Sequence, residues 1–412
     1  MSIGSIVEQA WQVRKNHYLY AMIIAFFIVF AIATIGLDFM AWRRIDTQHR
    51  TSRAVAGVVL LILNALPFIT IAITAIAKDN SQTLMTVDSW ALTIYTIATM
   101  TRVLFYIPYF TIKSRVIGII VGAIAGLCIF SVLCNGVINT RTALTVKQVK
   151  ITDSNIPHSF NGFRILFFSD LHIGAMISAQ RESKALANLI CEQKADMIIF
   201  GGDLIHIRQD ELTEEVAKEL SRIFAPYGTY CVFGNHDTGV YIKDYTDDDL
   251  DSNISRLRDK IAAMGWIPLQ DSTIYATIGN DSIAVTGIDF TKELLEYKHS
   301  YKTPEDYSPT ELFEQVPADV FNIAISHLPQ LWEPLSNNNF ADLILSGHTH
   351  ATQIAVECFG YRISPAMLLH KQWSGLYSDN NSQLYITDGI GCVGFYMRIG
   401  ATPEVTVIEL TR

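Results

Sequence analysis

The sequence predicts an N-terminal α-helical transmembrane bundle of four helices, followed by an α/β domain. Three observations predict this division. Four apolar stretches, each near or above the roughly 20 residues a helix needs to cross the hydrocarbon core, fall in the first part of the chain. From Asn161 onward, short apolar runs alternate with amphipathic, helix-like stretches. The charge changes at the same place: up to Lys150 there are 13 Lys+Arg and 5 Asp+Glu, and beyond it 18 and 35, giving formal charges of +8 and −17. Parts that differ this much in hydropathy and charge live in different solvents, and the expected domains are 1–145 and 146–412. The acidic second part argues against nucleic acid as the main partner, because phosphate backbones are bound through Lys/Arg-rich surfaces.

The apolar stretches are Tyr18–Met40, Ala54–Ala77, Trp90–Thr111 and Val116–Ile138. The first is too long for a signal-peptide core and lacks a small-residue cleavage site, so it reads as a retained helix. The loop between the first and second stretches carries Arg43, Arg44, Arg50 and Arg53, and the loop between the third and fourth carries Lys113 and Arg115; the intervening loop has only Lys78. The positive-inside rule then makes the two basic loops cytoplasmic and places the termini and the large C-terminal domain outside a multi-pass cell-membrane protein. Arg14, Lys15, Arg141, Lys147 and Lys150 weigh the other way. Arg102 falls inside the third stretch, where exposure to lipid is costly. Either it faces the bundle interior, on a polar seam with Tyr95, Thr96, Thr99 and Thr101, or it handles substrate.

In the second part "FRILFFS" (Phe163–Ser169), "ADMIIFGG" (Ala195–Gly202) and "GTYCVFGN" (Gly228–Asn235) read as buried strands. "SIAVTGID", "FNIAISH" and "ADLILSGH" follow the same pattern, and "RESKALANLICEQ" and "DELTEEVAKELSRIF" read as helices between strands. Continuous apolar runs of this length suit strands covered on both faces, as in layered α/β domains. The acidic run Asp244–Asn253 reads as a solvated loop and helix start. The six cysteines form no CxxC, so neither a zinc knuckle nor a disulfide framework is suggested.

The residues ending the runs carry the chemistry. The first ends in Asp170 and His172, the second in Asp203, the third in Asn235, His236 and Asp237; later runs end in His327 and in His348 with His350. Any one of these is most simply a turn former or a helix cap. Together they form one cluster, because ligand sites of open α/β sheets gather at the carboxyl ends of strands. Four imidazoles, two carboxylates and one amide oxygen suit divalent transition metals better than Mg²⁺ or Ca²⁺. They are too many for one ion with open positions. Two ions about 3.5–4 Å apart, sharing a carboxylate, can clamp a phosphate.

The set Asp170-x-His172, Gly202-Asp203, Gly234-Asn235-His236-Asp237, His327 and Gly347-His348-x-His350 resembles the signature of the calcineurin-like metallophosphoesterases, across roughly Lys150 to Arg412. The resemblance implies two β-sheets packed face to face with helices outside. It implies one metal on Asp170, His172 and His350, the other on Asn235, His327 and His348, and Asp203 bridging them. The ions would be Mn²⁺, Fe or Zn²⁺. His236 would be the catalytic histidine, oriented by Asp237, and a metal-bridging hydroxide would attack in line. Gln353 after "GHTH" and the C-terminal tail are similar to a membrane-associated bacterial branch, which includes phosphodiesterases and UDP-diacylglucosamine hydrolases. Ala351 and Thr352 stand where that branch usually has a Gly pair, and His206 where an Asp is common; all three are expected at the site rim. Arg398 is expected either to reach a substrate phosphate or to form a surface salt bridge.

These features lead to an integral membrane phosphoesterase acting on a phosphodiester or pyrophosphate, with a phosphoester or lipid-linked substrate and membrane lipids as partners. The alternatives are a membrane receptor or scaffold whose phosphoesterase-like domain only binds, and a transporter with an appended enzyme. The complete ligand set and His236 weigh against the first, and a single intramembrane Arg is thin support for the second.

Overall fold

The computed structural model describes residues 31–44, 50–77, 81–298, 309–379 and 382–412. The chain divides into two compact units: one holds the described residues up to Ala77 together with Thr86–Asn135, and the other holds 81–85 together with Gly136–Arg412.

The first unit is helical, with α1 over 31–43, α2 Arg50–Ile76, α3 Gln82–Thr111 and α4 Arg115–Ile138. Two helices among the described residues, Gln82–Thr111 and Arg115–Thr142, are long and apolar enough to cross a membrane. A third span results if Arg50–Leu66 and Phe68–Thr74, bent by 46° at Pro67, count as one. Most of the expected first span, together with Arg14, Lys15 and Lys78, lies outside the described residues. α3 and α4 meet along Gly118, Gly122 and Gly126, spaced four apart on one helix face; a Cβ on Gly122 would stand 2.5 Å from the Phe105 carbonyl oxygen, so only glycine lets the backbones approach.

Arg102 faces the interior of this unit. Its Nη1 lies 2.6 Å from Asp38 Oδ2, to which Asn64 Nδ2 also donates at 2.7 Å, and Tyr106 Oη donates to Asp38 Oδ1 at 2.8 Å. One carboxylate thereby ties together α1, α2 and α3.

The second unit holds two six-stranded mixed sheets. The first comprises β1 Thr145–Thr152, β2 Arg164–Phe168, β3 Met197–Phe200, β4 Thr229–Cys231, β5 Ile267–Pro268 and β14 Glu404–Thr411, in the order β1-β14-β2-β3-β4-β5. The second comprises β6 Ser272–Ile278, β7 Asp281–Ile288, β8 Asn322–Ser326, β9 Leu343–Ser346, β12 Gly375–Ser378 and β13 Gln383–Ile386, in the order β12-β13-β9-β8-β7-β6. β10 Val356–Cys358 and β11 Tyr361–Ile363 form a separate antiparallel pair.

The continuous apolar runs have a simple cause. Successive side chains of a strand point to opposite faces, and here both faces are covered. Ile165, Phe167 and Ile199 pack between the sheets against Val285, Ile323, Leu343 and Leu345. Leu166, Phe168, Ile198 and Phe200 pack on the outer side against Leu186 and Ile190 of α5 (Ala179–Gln193), Val216 of α6 (Glu214–Leu220), and Leu257 and Ile261 of α7 (Asp247–Ala263). Ile344 and Ala324 of the second sheet meet Leu335 of α9 (Trp332–Asn337), which follows the short α8 (Thr310–Phe313). The acidic run opens α7: Thr246 and Asp249 form a reciprocal capping box, and Asp247 and Asp248 sit in the first turn, where carboxylates favour the helix dipole.

Candidate metal centre

The chain segments that leave β2, β3, β4, β8 and β9 carry all nine residues singled out by the sequence, and they meet at one end of the two sheets. His172 Nε2 lies 3.0 Å from His350 Nε2, which is 3.2 Å from Asp170 Oδ1. His327 Nε2 lies 3.1 Å from Asp203 Oδ2 and 3.3 Å from His348 Nδ1. Asp203 Oδ2 is also 3.6 Å from His172 Nε2, so this carboxylate stands between the two groups. Donor atoms of Asp170, His172 and His350, and of Asp203, His327 and His348, each lie mutually within 4.8 Å, the spacing of ligands around one cation.

The backbone is strained to present them. Asp170, His172, Asp203, His348 and His350 all have positive φ, between 45° and 75°. Such conformations cost about 1–3 kcal/mol each in a non-glycine residue and persist where the surroundings over-determine them. The adjacent glycines have the complementary role: a Cβ on Gly234 would collide with the Asp203 carboxylate, and one on Gly347 with that of Asp170.

Hydrogen bonds choose which nitrogen of His327 and of His348 faces inward. His327 Nδ1 meets the Gly201 carbonyl at 2.8 Å and His348 Nε2 meets the Lys298 carbonyl, which leaves His327 Nε2 and His348 Nδ1 turned toward each other. Outer partners of this kind set ligand tautomers in metal sites. Asn235 Nδ2 donates to Tyr241 Oη at 2.8 Å, while its buried Oδ1 has no hydrogen-bond partner. A buried amide oxygen without a partner, two imidazoles that turn a nitrogen toward each other and a carboxylate together make a donor set that fits a divalent transition cation.

The electrostatics agree. Burial pushes the Asp203 carboxyl up, yet His327 and His236 beside it prevail and hold it well below the usual carboxylate range. Burial lowers His327, but Asp203 overrides it and lifts the imidazole to about 9. His172 is held well below the ordinary histidine value by burial and by His236, and His206 is lowered to about 3 for the same two reasons. A position that draws a proton onto His327 beside an ionised Asp203 is one that favours a cation.

Three residues stand differently from expectation. Asp237 does not orient the imidazole of His236. Its oxygens accept the backbone N–H groups of Asp203, Leu204, Ile205 and Gly234 at 2.7–3.1 Å, and burial raises its carboxyl to about 7. It is His236 Nδ1 that meets the carbonyl of His206. His206 is buried rather than on the rim: its Nδ1 is 3.4 Å from His172 Nδ1 and its ring stacks on His236 at 5.0 Å. The cause is Glu211, whose carboxylate gathers the N–H groups of Gly174, His206, Ile207 and Arg208 and folds the loop inward. Arg398 is fully buried and makes no surface salt bridge; its guanidinium donates to the carbonyls of Asp388, Gly391 and Ala401 and lies 3.2 Å from His350 Nδ1. Ala351 is buried and Thr352 half-buried, and both have φ of 48°, the left-handed conformation that a glycine pair adopts without strain.

Two residues that no motif signalled also reach the site. Tyr241 stacks on His236 with ring centroids 4.2 Å apart, and Lys298 Nζ donates to Tyr241 Oη at 2.6 Å. Tyr241 shares the "GNHDTGVY" loop with Asn235, and that proximity was the one available hint.

Residues 163–352 match the family described as calcineurin-like phosphoesterase, and all nine residues lie in this span. The metallophosphoesterase YkuE of Bacillus subtilis is 29% identical over 264 residues, covering 63% of this chain and 83% of YkuE. A zebrafish (Danio rerio) transmembrane protein with a metallophosphoesterase domain is 26% identical over 67% of this chain, and the match spans 59% of the zebrafish protein's length. Phosphodiesterase YaeI of Escherichia coli is 26% identical over 60% of this chain and 82% of its own.

Proposed function

Since residues 163–352 belong to the calcineurin-like phosphoesterases and make the chain a hydrolase of that class, we propose that it is an integral membrane enzyme cleaving a phosphodiester or pyrophosphate bond of a lipid-linked substrate. The observation that carries this reading is the pair of donor groups sharing Asp203. In this reading Asp170, His172 and His350 would hold one divalent ion and Asn235, His327 and His348 a second, with Asp203 serving both. When bound, two such ions supply Lewis acidity toward phosphoryl oxygens and lower the pKa of water.

The chain's own residues do the rest. The His206 carbonyl keeps a proton on His236 Nδ1, so Nε2 is the atom that exchanges one; a proton that Nε2 first takes up from water is the one it then gives to the departing alkoxide. Asp237 holds the Asp203 loop through three backbone N–H groups and its own loop through that of Gly234, so the Asp203 carboxylate keeps its place. Four helices within domain 1–145 anchor the catalytic domain 146–412 at the outer face of the membrane; the two apolar helices and the transmembrane relative support the anchoring.

The test is full-length protein in detergent, titrated with Mn²⁺ against a bis-aryl phosphodiester and an aryl monoester, with Asp203→Ala as control. Metal-dependent cleavage of the diester, lost in Asp203→Ala, is expected. A protein that binds no metal would sink the enzyme reading and leave the receptor in its place.

A further inference from the structure

One wall of the site is not made of metal-holding residues. Lys298 and Tyr241 come from different loops, one after β7 and one after β4, and meet beside the metal-facing groups. Tyr241 Oη accepts from Asn235 Nδ2 at 2.8 Å and from Lys298 Nζ at 2.6 Å, and its ring stacks on His236. The Lys298 ammonium lies 4.5 Å from the centre of the Tyr241 ring, and its backbone carbonyl meets His348. This lysine is half-buried and makes no ion pair among the described residues, although its charge lies within the field of Asp203.

An ammonium brought out of water needs an anionic partner. Other cations of this unit are answered by several acceptors: Arg141 pairs with Glu182, Lys147 with Glu404, Arg258 with Asp289 and Arg362 with Asp388, while Lys260 and Arg398 each donate to two or more carbonyls. Lys298 has instead a hydroxyl that fixes its position and an aromatic face that tolerates its charge. Its hydroxyl partner touches Asn235 and His236 and its own backbone touches His348, which makes the missing partner a ligand of the centre.

We propose that Lys298, positioned by Tyr241, forms an anion subsite that takes phosphoryl oxygens of the substrate. The subsite rests on the phosphoester reading for the chemistry of its ligand. Lysine offers three donors as a point charge, so it suits a tetrahedral anion without demanding one orientation. The oxygens belong either to the phosphoryl group being attacked or to a second one beyond it, as in a pyrophosphate.

The experiment is calorimetric titration of inorganic phosphate, and separately inorganic pyrophosphate, into Mn²⁺-loaded full-length protein and its variants Lys298→Ala, Lys298→Arg and Tyr241→Phe. The expected result is about 10- to 100-fold weaker anion binding in Lys298→Ala, substantial recovery in Lys298→Arg, and unchanged Mn²⁺ affinity, because the contact to His348 is through the backbone. Weakening of both anions assigns Lys298 to the attacked phosphoryl group, and weakening of pyrophosphate alone to the second. Tyr241→Phe should weaken anion binding less than Lys298→Ala. Unchanged anion binding in Lys298→Ala overturns the subsite, as does a parallel loss of Mn²⁺, which would make Lys298 a support of the metal-holding loop. The two readings separate cleanly. Wild type that hydrolyses esters without Lys298-dependent anion binding defeats the subsite alone; Lys298-dependent binding without hydrolysis defeats the enzyme reading alone.

Discussion

The helical unit and the α/β unit each bury a carboxylate beside nitrogen cations or potential cations, and the two burials end differently. In the helical unit both oxygens of Asp38 are answered by the chain itself, through Arg102, Asn64 and Tyr106. In the α/β unit Asp203 Oδ1 accepts the His236 backbone N–H, while Oδ2 faces the imidazoles of His172 and His327, whose own neighbours are further imidazoles, and Asn235 Oδ1 has no partner. A buried charge that the chain fully satisfies holds helices together. One whose second oxygen is met by imidazoles, with a proton held on His327 between them, offers a place that a cation can take. The same Coulomb cost of burial thus yields a clamp in one unit and a site in the other.

The largest expected effect tests the open cluster. His350→Ala removes one nitrogen from the group with Asp170 and His172; the count of bound Mn²⁺ should fall, and turnover should drop by at least about 10²-fold, measured by elemental analysis and diester hydrolysis. An equally active variant with full metal content would show that the cluster is not the centre.

The closed cluster should behave oppositely. Asp38→Ala leaves Arg102 uncompensated in an apolar unit, at a cost of about 3–5 kcal/mol, seen as a lower melting temperature in detergent. Asp38→Leu combined with Arg102→Met should recover most of it and retain turnover with soluble esters. If the double variant is stable but inactive, Arg102 handles substrate and the contrast between the units fails.

A pH titration sharpens the comparison further. The folded-state pKa of His327, about 9, is above its unfolded value because Asp203 overrides burial. The stability this proton contributes is present below about pH 6.5 and is lost as pH rises through 9. Chelator-treated protein should therefore lose stability, by on the order of 1–3 kcal/mol, between pH 7 and 9. Mn²⁺-loaded protein should show much less of this slope, as the cation replaces the proton. Equal slopes would remove His327 from the metal-holding set.

The smallest effect lies at the rim of the open cluster. Thr352 is β-branched and sits at φ 48°. Thr352→Gly should stabilise the protein by about 1 kcal/mol, read from thermal unfolding, with metal content unchanged. Destabilisation would mean that the Thr352 hydroxyl, bonded to Ser364 and the Ala351 carbonyl, outweighs the backbone strain.

The sequence alone determined six of the strands, β2, β3, β4, β7, β8 and β9, and the residues that end them. Each of these runs is short, mainly apolar and closely followed by Asp, Asn or His, and that information is local: burial on both faces leaves no polar alternation, and a ligand at a strand end is adjacent to it in the chain. It also determined that α3 and α4 are long and apolar enough to cross a membrane. Contacts between distant segments were decided by the tertiary structure. Nothing local to Arg102 names Asp38, which lies 64 residues away, and nothing in the tail says that β14 enters the sheet between β1 and β2. The same holds for the choice of nitrogen on His327 and His348, made by the carbonyls of Gly201 and Lys298, and for the inward fold of His206 around Glu211. Lys298 and Tyr241 meet because two loops close over the same strand ends. Periodicity records which face of an element is dry, and only the packed chain decides which polar atoms must share that dry space.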